Sequence, residues 1–296
     1  MANEQIVTIP GSAGLGEGWE GDLPLDSDYP DSILLDLSDL TFVRPLLLLR
    51  LRTFVDWHLE KGRKVRVELP KSNDVRRYMA RMHIHHGLAS DVFAGMPTVQ
   101  EHDRSESLVP VSIVRGGHEA DHLCDGLVPI LEEFADDASL PQAVNMAMSE
   151  LTNNAVEHGQ NEFGTYIAVQ RYPKLGSLII ATSDLGVGIP EHLRQQHPEW
   201  DDDGYVIEMA LRSGVSGTGD PHRGFGLAYT LETIEASEIL KARFTIRSGR
   251  GECVIETPKA GKSQISRSAT AYKRGTMVNL VLTNLSNKDL TEAIAD

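Results

Sequence analysis

"MSELTNNAVEHG", residues 148–159, is the stretch on which the reading of this chain turns. From Leu140 to Gly159 the sequence has helical spacing. Leu140, Val144, Ala147, Leu151, Ala155 and His158 recur at intervals of three and four and define a core stripe. Two adjacent Asn are unusual there, because their side chains compete with the helix for backbone hydrogen bonds. Glu150 stands four residues before Asn154, so both side chains leave one helix face, beside the stripe and together with Glu157. A carboxylate and a neutral amide oxygen one turn apart suit Mg²⁺ and a water that attacks phosphate. Mg²⁺ takes only one or two hard oxygens from protein when phosphates and waters supply the rest. An ordinary solvent-facing helix has the same composition, and the stretch alone favours that plainer reading.

Two further segments lie downstream. SDLGVGIP (183–190) follows the apolar strand pattern SLIIAT. Asp184 at the strand end can accept a hydrogen bond from a flat ligand, while Gly186 and Gly188 let the backbone approach it closely. An ordinary turn has the same residues. RGFGLAYT (223–230) opens a helix with Gly224 and Gly226, and amides at a helix N-terminus favour anions such as phosphate. No third Gly follows at the spacing of the dinucleotide fingerprint, so that reading is set aside. Tight helix packing would also explain a lone G-x-G.

Order and spacing bind these pieces together. E-x-x-x-N-A-V-E-H-G, then D-x-G-x-G, then G-x-G-L, then a strand beginning Gly275-Thr276, resembles the GHKL ATPase superfamily. That superfamily holds gyrase-type topoisomerases, heat-shock protein 90 chaperones, histidine kinases and anti-sigma-factor serine kinases, and the first motif is most similar to the last of these. The resemblance covers about residues 110–285. It implies an α/β sandwich, a mixed or antiparallel sheet with helices on one face, that binds ATP and Mg²⁺. It implies Glu150 as general base, Asn154 as the Mg²⁺ ligand and Asp184 as acceptor for the adenine amino group. Gly186 and Gly188 would shape the adenine pocket, and Gly224, Gly226 and Leu227 would cradle phosphates. Thr276 matches the residue that helps hold adenine through water. Residues 191–223 would form a lid from which Arg223 could reach the terminal phosphate, though a solvated charge is as common beside such a loop.

The front of the chain follows a different pattern. SILLDLSD (32–39) and KVRVEL (64–69) predict strands. PLLLLRLRTFVDWHLEKG (45–62) and SNDVRRYMARMHIHHGL (72–88) predict helices, and together they form a small layer with parallel strands. This region resembles the STAS domain of anti-anti-sigma factors. It has Arg44 and Pro45 where that family carries an Asp and a phosphorylated Ser, so phosphorylation is excluded there and docking is expected. The surface would meet the ATP domain or, in a homodimer, a second copy. The expected organisation is a flexible lead-in (1–30), a STAS-like domain (31–105), a GHKL ATP-binding domain (106–288) and a tail (289–296).

Composition agrees with a globular protein: 296 residues, 41% hydrophobic, with a net charge of −15 that argues against nucleic acid. No stretch approaches the roughly 18 consecutive apolar residues of a membrane span, and MANEQIVTIPGSAG does not resemble a secretory signal, so a cytoplasmic location is expected. His83, His85 and His86 are read as a helix end and not a metal site, because no Cys or carboxylate completes the set, and His118, His122 and Cys124 are read the same way. Residues 257–275, with five basic residues and no acidic one, are read as a loop between paired strands. The chain is thus expected to be a Mg-dependent regulatory ATPase or serine/threonine protein kinase with a regulatory protein partner. The alternative is a non-catalytic switch gated by ATP or ADP.

Overall fold

A computed structural model describes residues 4–13, 23–25, 28–100, 107–135, 139–158, 162–211, 226–259 and 261–285, with backbone alone for 117, 150–158, 226 and 227. The chain divides into two compact units: Met1–Asp103 with Pro110–Ser112, and Arg104–Val109 with Ile113–Asp296.

The first unit contains β1 (Glu4–Thr8), β2 (Ser32–Asp36), α1 (Pro45–Glu60), β3 (Lys64–Glu68) and α2 (Asn73–Arg81). The three strands pair in parallel in the order β1-β2-β3. Pro45 opens α1 with its fixed φ, and the helix buries Leu47, Leu48, Leu49, Leu51, Phe54 and Val55. Ser72 caps α2 by accepting the Val75 N–H at 3.4 Å.

Two expectations change here. The lead-in contains β1, whose side chains are mostly exposed, so it has no apolar alternation to be read. The main-chain ladder to β2 holds it, and Glu4 adds hydrogen bonds from Ser32 and Arg66. The second helix stops at Arg81, six residues before Gly87. The chain turns there with His83 at a φ of 55°, and the buried Arg52 guanidinium donates to the carbonyls of Ile84 and His86, fastening the turn to α1.

The second unit contains both ends of β4 (Leu108–Val114, whose Pro110–Ser112 belong to the first unit), α3 (Gly117–Phe134), α4 (Ser139–His158), β5 (Thr165–Tyr172), β6 (Ser177–Ser183), α5 (Ile189–Arg194), α6 (Asp203–Ala210), α7 (Gly226–Ala236), β7 (Leu240–Thr257) and β8 (Gln264–Asn284). Its sheet has the order β4-β5-β6-β8-β7, and the pairs β5–β6, β6–β8 and β8–β7 are antiparallel. One sheet face carries Ile167, Val169, Leu178, Ile180, Val278, Leu280 and Phe244. These join a core with Leu127 and Leu131 of α3, Leu140 and Val144 of α4, Ile207 of α6 and Ile234 of α7. The architecture is mixed α/β, with helices flanking the sheet.

The stretch read as a loop over 257–275 is largely strand. β8 begins at Gln264 and pairs with β7 from Glu256 onward, and β7 is one bulged strand over Leu240–Thr257. Residues 264–269 are all exposed, so their strand state comes from the ladder and leaves no hydrophobic signature.

Candidate functional site

The helix-facing side of the sheet changes character near one end. Thr182 lies opposite Ile167 and Val278, both core residues, and therefore faces the helices. Two positions along, Thr165 and Thr276 share that side, and Ser248 is opposite Thr276. All four of these hydroxyl residues are buried. An apolar face thus ends in a rim of hydroxyls. The Thr165 hydroxyl has no hydrogen-bond partner among the described residues, a condition that costs about 1–3 kcal/mol unless something supplies one.

Asp184 follows the last residue of β6 at this rim. Its Oδ1 accepts the Gly186 N–H at 2.8 Å, and its Oδ2 accepts the Thr276 N–H at 3.2 Å. Its own N–H goes to the Thr276 carbonyl at 2.9 Å. Lys273 Nζ donates to the Asp184 carbonyl at 3.2 Å. Surrounding protein pushes the Asp184 carboxyl above its usual range, while Lys273 and the two N–H donors oppose that rise. A carboxylate offers about four acceptor directions, and the two N–H groups take two. The residue also keeps part of its surface accessible.

Glycine makes this closeness possible at two points. A Cβ on Gly275, at a φ of 70°, would lie 2.3 Å from the Asp184 carbonyl oxygen and 2.6 Å from Oδ1. One on Gly188, at a φ of 85°, would lie 2.5 Å from Ser248 Oγ. That hydroxyl accepts the Ile189 N–H at 2.9 Å and donates to the Gly275 carbonyl at 2.8 Å, with Thr276 Oγ1 at 3.1 Å. Ser248 therefore joins the start of α5 to the middle of β8, at Gly275 and Thr276. Sequence reading did not select it, because no local motif surrounds it.

Asp184, Gly186, Gly188 and Thr276, distant by up to 92 residues in sequence, form one cluster. Of the other predicted residues, Glu150 and Asn154 stand on α4 with side chains outside the described residues. Arg223 and Gly224 lie outside the described residues altogether. Gly226 and Leu227 open α7, and the Leu227 side chain is again outside the description. α7 is tied to α4 by the buried Thr230 hydroxyl, which donates to the Ala143 carbonyl at 2.8 Å. The helices bearing the first and third motifs are therefore neighbours. Residues 191–211 of the expected lid include most of α5 and all of α6, and residues 212–225 lie outside the description. Among the described residues no group of three His, Cys, Asp or Glu could hold a metal, and no helix is long and apolar enough to cross a membrane.

No protein-family model matches the chain, and no curated protein matches it. Solved structures give remote matches to part of it. One is a topoisomerase IV ATP-binding domain of Francisella tularensis in complex with a small-molecule inhibitor. It is 17% identical, with a TM-score of 0.28, covering 50% of this chain and 36% of that one. Another is the B subunit of the DNA gyrase from Myxococcus xanthus, at 10% identity and a TM-score of 0.28, covering 55% and 43%. A third is the N-terminal domain of a DNA repair protein, at 17% identity and a TM-score of 0.19, covering 40% and 32%. The chain spans less than half the length of each of these proteins. All three TM-scores are low.

Proposed function

We propose that this chain binds ATP with Mg²⁺ through its second unit and acts as a regulatory ATPase or serine/threonine protein kinase of the GHKL class. The observation that supports this most is the Asp184 carboxylate, fixed by two backbone N–H groups with acceptor capacity left over. A flat base with an exocyclic amino group complements it, and the rim hydroxyls, including the unpartnered Thr165, suit the polar edge of such a base. Adenine fits that donor and acceptor set. On this reading Asn154 would hold Mg²⁺, Glu150 would take the proton of the attacking hydroxyl, and Arg223, Gly224, Gly226 and Leu227 would meet the phosphates. Bound Mg²⁺ would neutralise charge on the phosphates. Residues 106–288 would form the nucleotide domain, and residues 31–105 a STAS-like docking domain.

Calorimetry with Mg²⁺-ATP on the full-length protein tests the binding. Saturable binding that Asp184→Ala weakens supports it, and a flat titration of folded protein removes it. Labelled ATP then distinguishes the chemistry. Label released as phosphate means water is the acceptor, and label on protein in cell extract means a side-chain hydroxyl. Bound nucleotide with neither product favours the ATP-gated switch.

A further inference from the structure

Between Met277 and Thr283 β8 is paired with both β6 and β7. On the N-terminal side of Met277 β6 has ended, and the Asp184 turn takes its place. The ladder to β7 is irregular at that point. Ser248 is paired with Thr276 and the next residue, Gly249, with Lys273, so Arg274 and Gly275 are two extra residues on β8. A bulge of this kind re-aims the side chains around it. Lys273 and Arg274 both turn onto the segment that follows β6.

Lys273 Nζ donates to the Asp184 carbonyl at 3.2 Å and also to the carbonyl of Arg274. Arg274 Nε donates to the Leu185 carbonyl at 3.1 Å. Two consecutive cations thus hold two consecutive carbonyls of the D-x-G turn. Both residues are half-buried, where a charge-assisted hydrogen bond is stronger than at an open surface. The Lys273 bond ends on main-chain oxygen, while the Asp184 carboxylate accepts from the Gly186 and Thr276 N–H groups. The ammonium therefore adds positive charge beside the carboxylate without taking up one of its acceptor directions. That charge opposes burial, which favours the protonated carboxyl. Among the described residues, Lys273 is the charge that acts on the carboxyl, with Arg274 next to it on Leu185. β7 adds the Ser248 hydroxyl at this rim, and α5 adds the Ile189 N–H.

We propose that Lys273 and Arg274 are positioning residues of the nucleotide site: both fasten the Asp184 turn to β8, and Lys273 sets a positive charge beside the carboxylate that accepts a base amino group. The inference rests on the reading of Asp184 as the acceptor for the base. A protonated carboxyl has less acceptor capacity, so nucleotide affinity falls as pH drops through the range where Asp184 takes up its proton. Removing the Lys273 charge makes that proton easier to add, so the fall moves to higher pH. Arg274 acts on the Leu185 carbonyl, and its loss loosens the turn without that dependence on pH.

The test compares full-length wild type with Lys273→Met, Lys273→Arg and Arg274→Met. Calorimetry with Mg²⁺-ATP reads affinity, and carboxyl ¹³C NMR of Asp-labelled protein reads the titration midpoint of Asp184, whose signal is assigned by its loss in Asp184→Asn. In Lys273→Met the midpoint should move upward. The ratio of affinities between about pH 8 and pH 6 should exceed the wild-type ratio at least about threefold. Lys273→Arg, which keeps the charge, should restore both readings. Arg274→Met should weaken binding by the same factor at both pH values, and unchanged affinity would remove that residue from the site. A uniform loss of affinity in Lys273→Met with an unmoved midpoint would leave Lys273 a merely structural role and overturn the inference. So would a displaced midpoint that Lys273→Arg fails to restore. The NMR reading needs no nucleotide, so an unmoved midpoint overturns the inference whether or not ATP binds. A flat ATP titration of folded wild type, with the midpoint still displaced by Lys273→Met, instead overturns the nucleotide reading and leaves the coupling of Lys273 to Asp184 in place.

Discussion

Asp184 and Thr276 exchange main-chain and side-chain hydrogen bonds: the Thr276 N–H reaches Asp184 Oδ2 at 3.2 Å, and the Asp184 N–H reaches the Thr276 carbonyl at 2.9 Å. The carboxylate is thereby oriented before any ligand arrives. On the proposed reading, replacing it with Ala removes the acceptor for an adenine amino group. A hydrogen bond to a charged group contributes about 1.5–3 kcal/mol, or roughly 10- to 100-fold in affinity. Calorimetry of Asp184→Ala with Mg²⁺-ATP should show a loss in that range. Unchanged affinity would move the base to another part of the protein.

Gly275 tests the same geometry through the backbone. At its φ of 70°, and with Asp184 atoms 2.3–2.7 Å from where a Cβ would be, Gly275→Ala must displace the chain. We expect a loss of more than about 2 kcal/mol in stability and a weakened nucleotide site. Gly126, inside α3 with nothing within 4 Å of the position an added methyl would take, provides the opposite case. Gly126→Ala should stabilise by up to about 1 kcal/mol. Thermal unfolding of the two variants side by side checks both signs.

The contrast between those two glycines also explains what the sequence could disclose. The Asp184-x-Gly186-x-Gly188 turn follows an apolar strand, so its elements were legible locally. The long helix carrying Glu150 announced itself by its stripe, of which Leu140, Val144 and Ala147 are buried. Ser248 had no such signal. Its role arises because the β7–β8 register sets it opposite Thr276, 28 residues away, and because α5 starts beside it. The strand character of residues 264–269 was hidden for a related reason: an exposed edge buries no side chain, so no alternation marks it. β1 escaped notice in the same way.

Ser248→Ala should therefore destabilise the protein although its side chain is small. The hydroxyl serves the Ile189 N–H, the Gly275 carbonyl and Thr276 at once, in a fully buried position. Removing it leaves polar partners without water, at a cost of about 1–3 kcal/mol. Urea unfolding should show that loss. Ser248→Cys, which keeps the size but bonds weakly, should recover only part of it.

His58 gives the first unit a defined pH response. It is fully buried among Tyr29 and Phe54, and its Nδ1 is 3.1 Å from Arg63 Nη1. Burial, followed by the Arg63 charge, lowers its pKa to about 4 from 6.5. Below pH 6.5 the unfolded chain takes up a proton that the folded chain refuses, so stability is complete above that pH and falls as pH drops towards 4. The shift corresponds to about 3 kcal/mol. His58→Phe should flatten the dependence between pH 7 and pH 4, as read by the urea midpoint. A variant that keeps the full wild-type slope would assign it to other groups.

On the proposed reading, Glu150 separates binding from chemistry. A general base contributes to the transition state and little to nucleotide affinity, and its help is commonly worth roughly 10²- to 10⁴-fold in rate. Glu150→Ala should hold Mg²⁺-ATP within a few-fold of wild type while turnover falls by that factor. Asn154→Ala should act earlier, because losing the proposed oxygen ligand would weaken the Mg²⁺-dependent part of binding. The two variants should therefore differ in kind: one shows normal calorimetry and slow turnover, the other a nucleotide affinity that no longer improves when Mg²⁺ is added. If Glu150→Ala turns over ATP at the wild-type rate, the base is another group, and α4 serves binding alone.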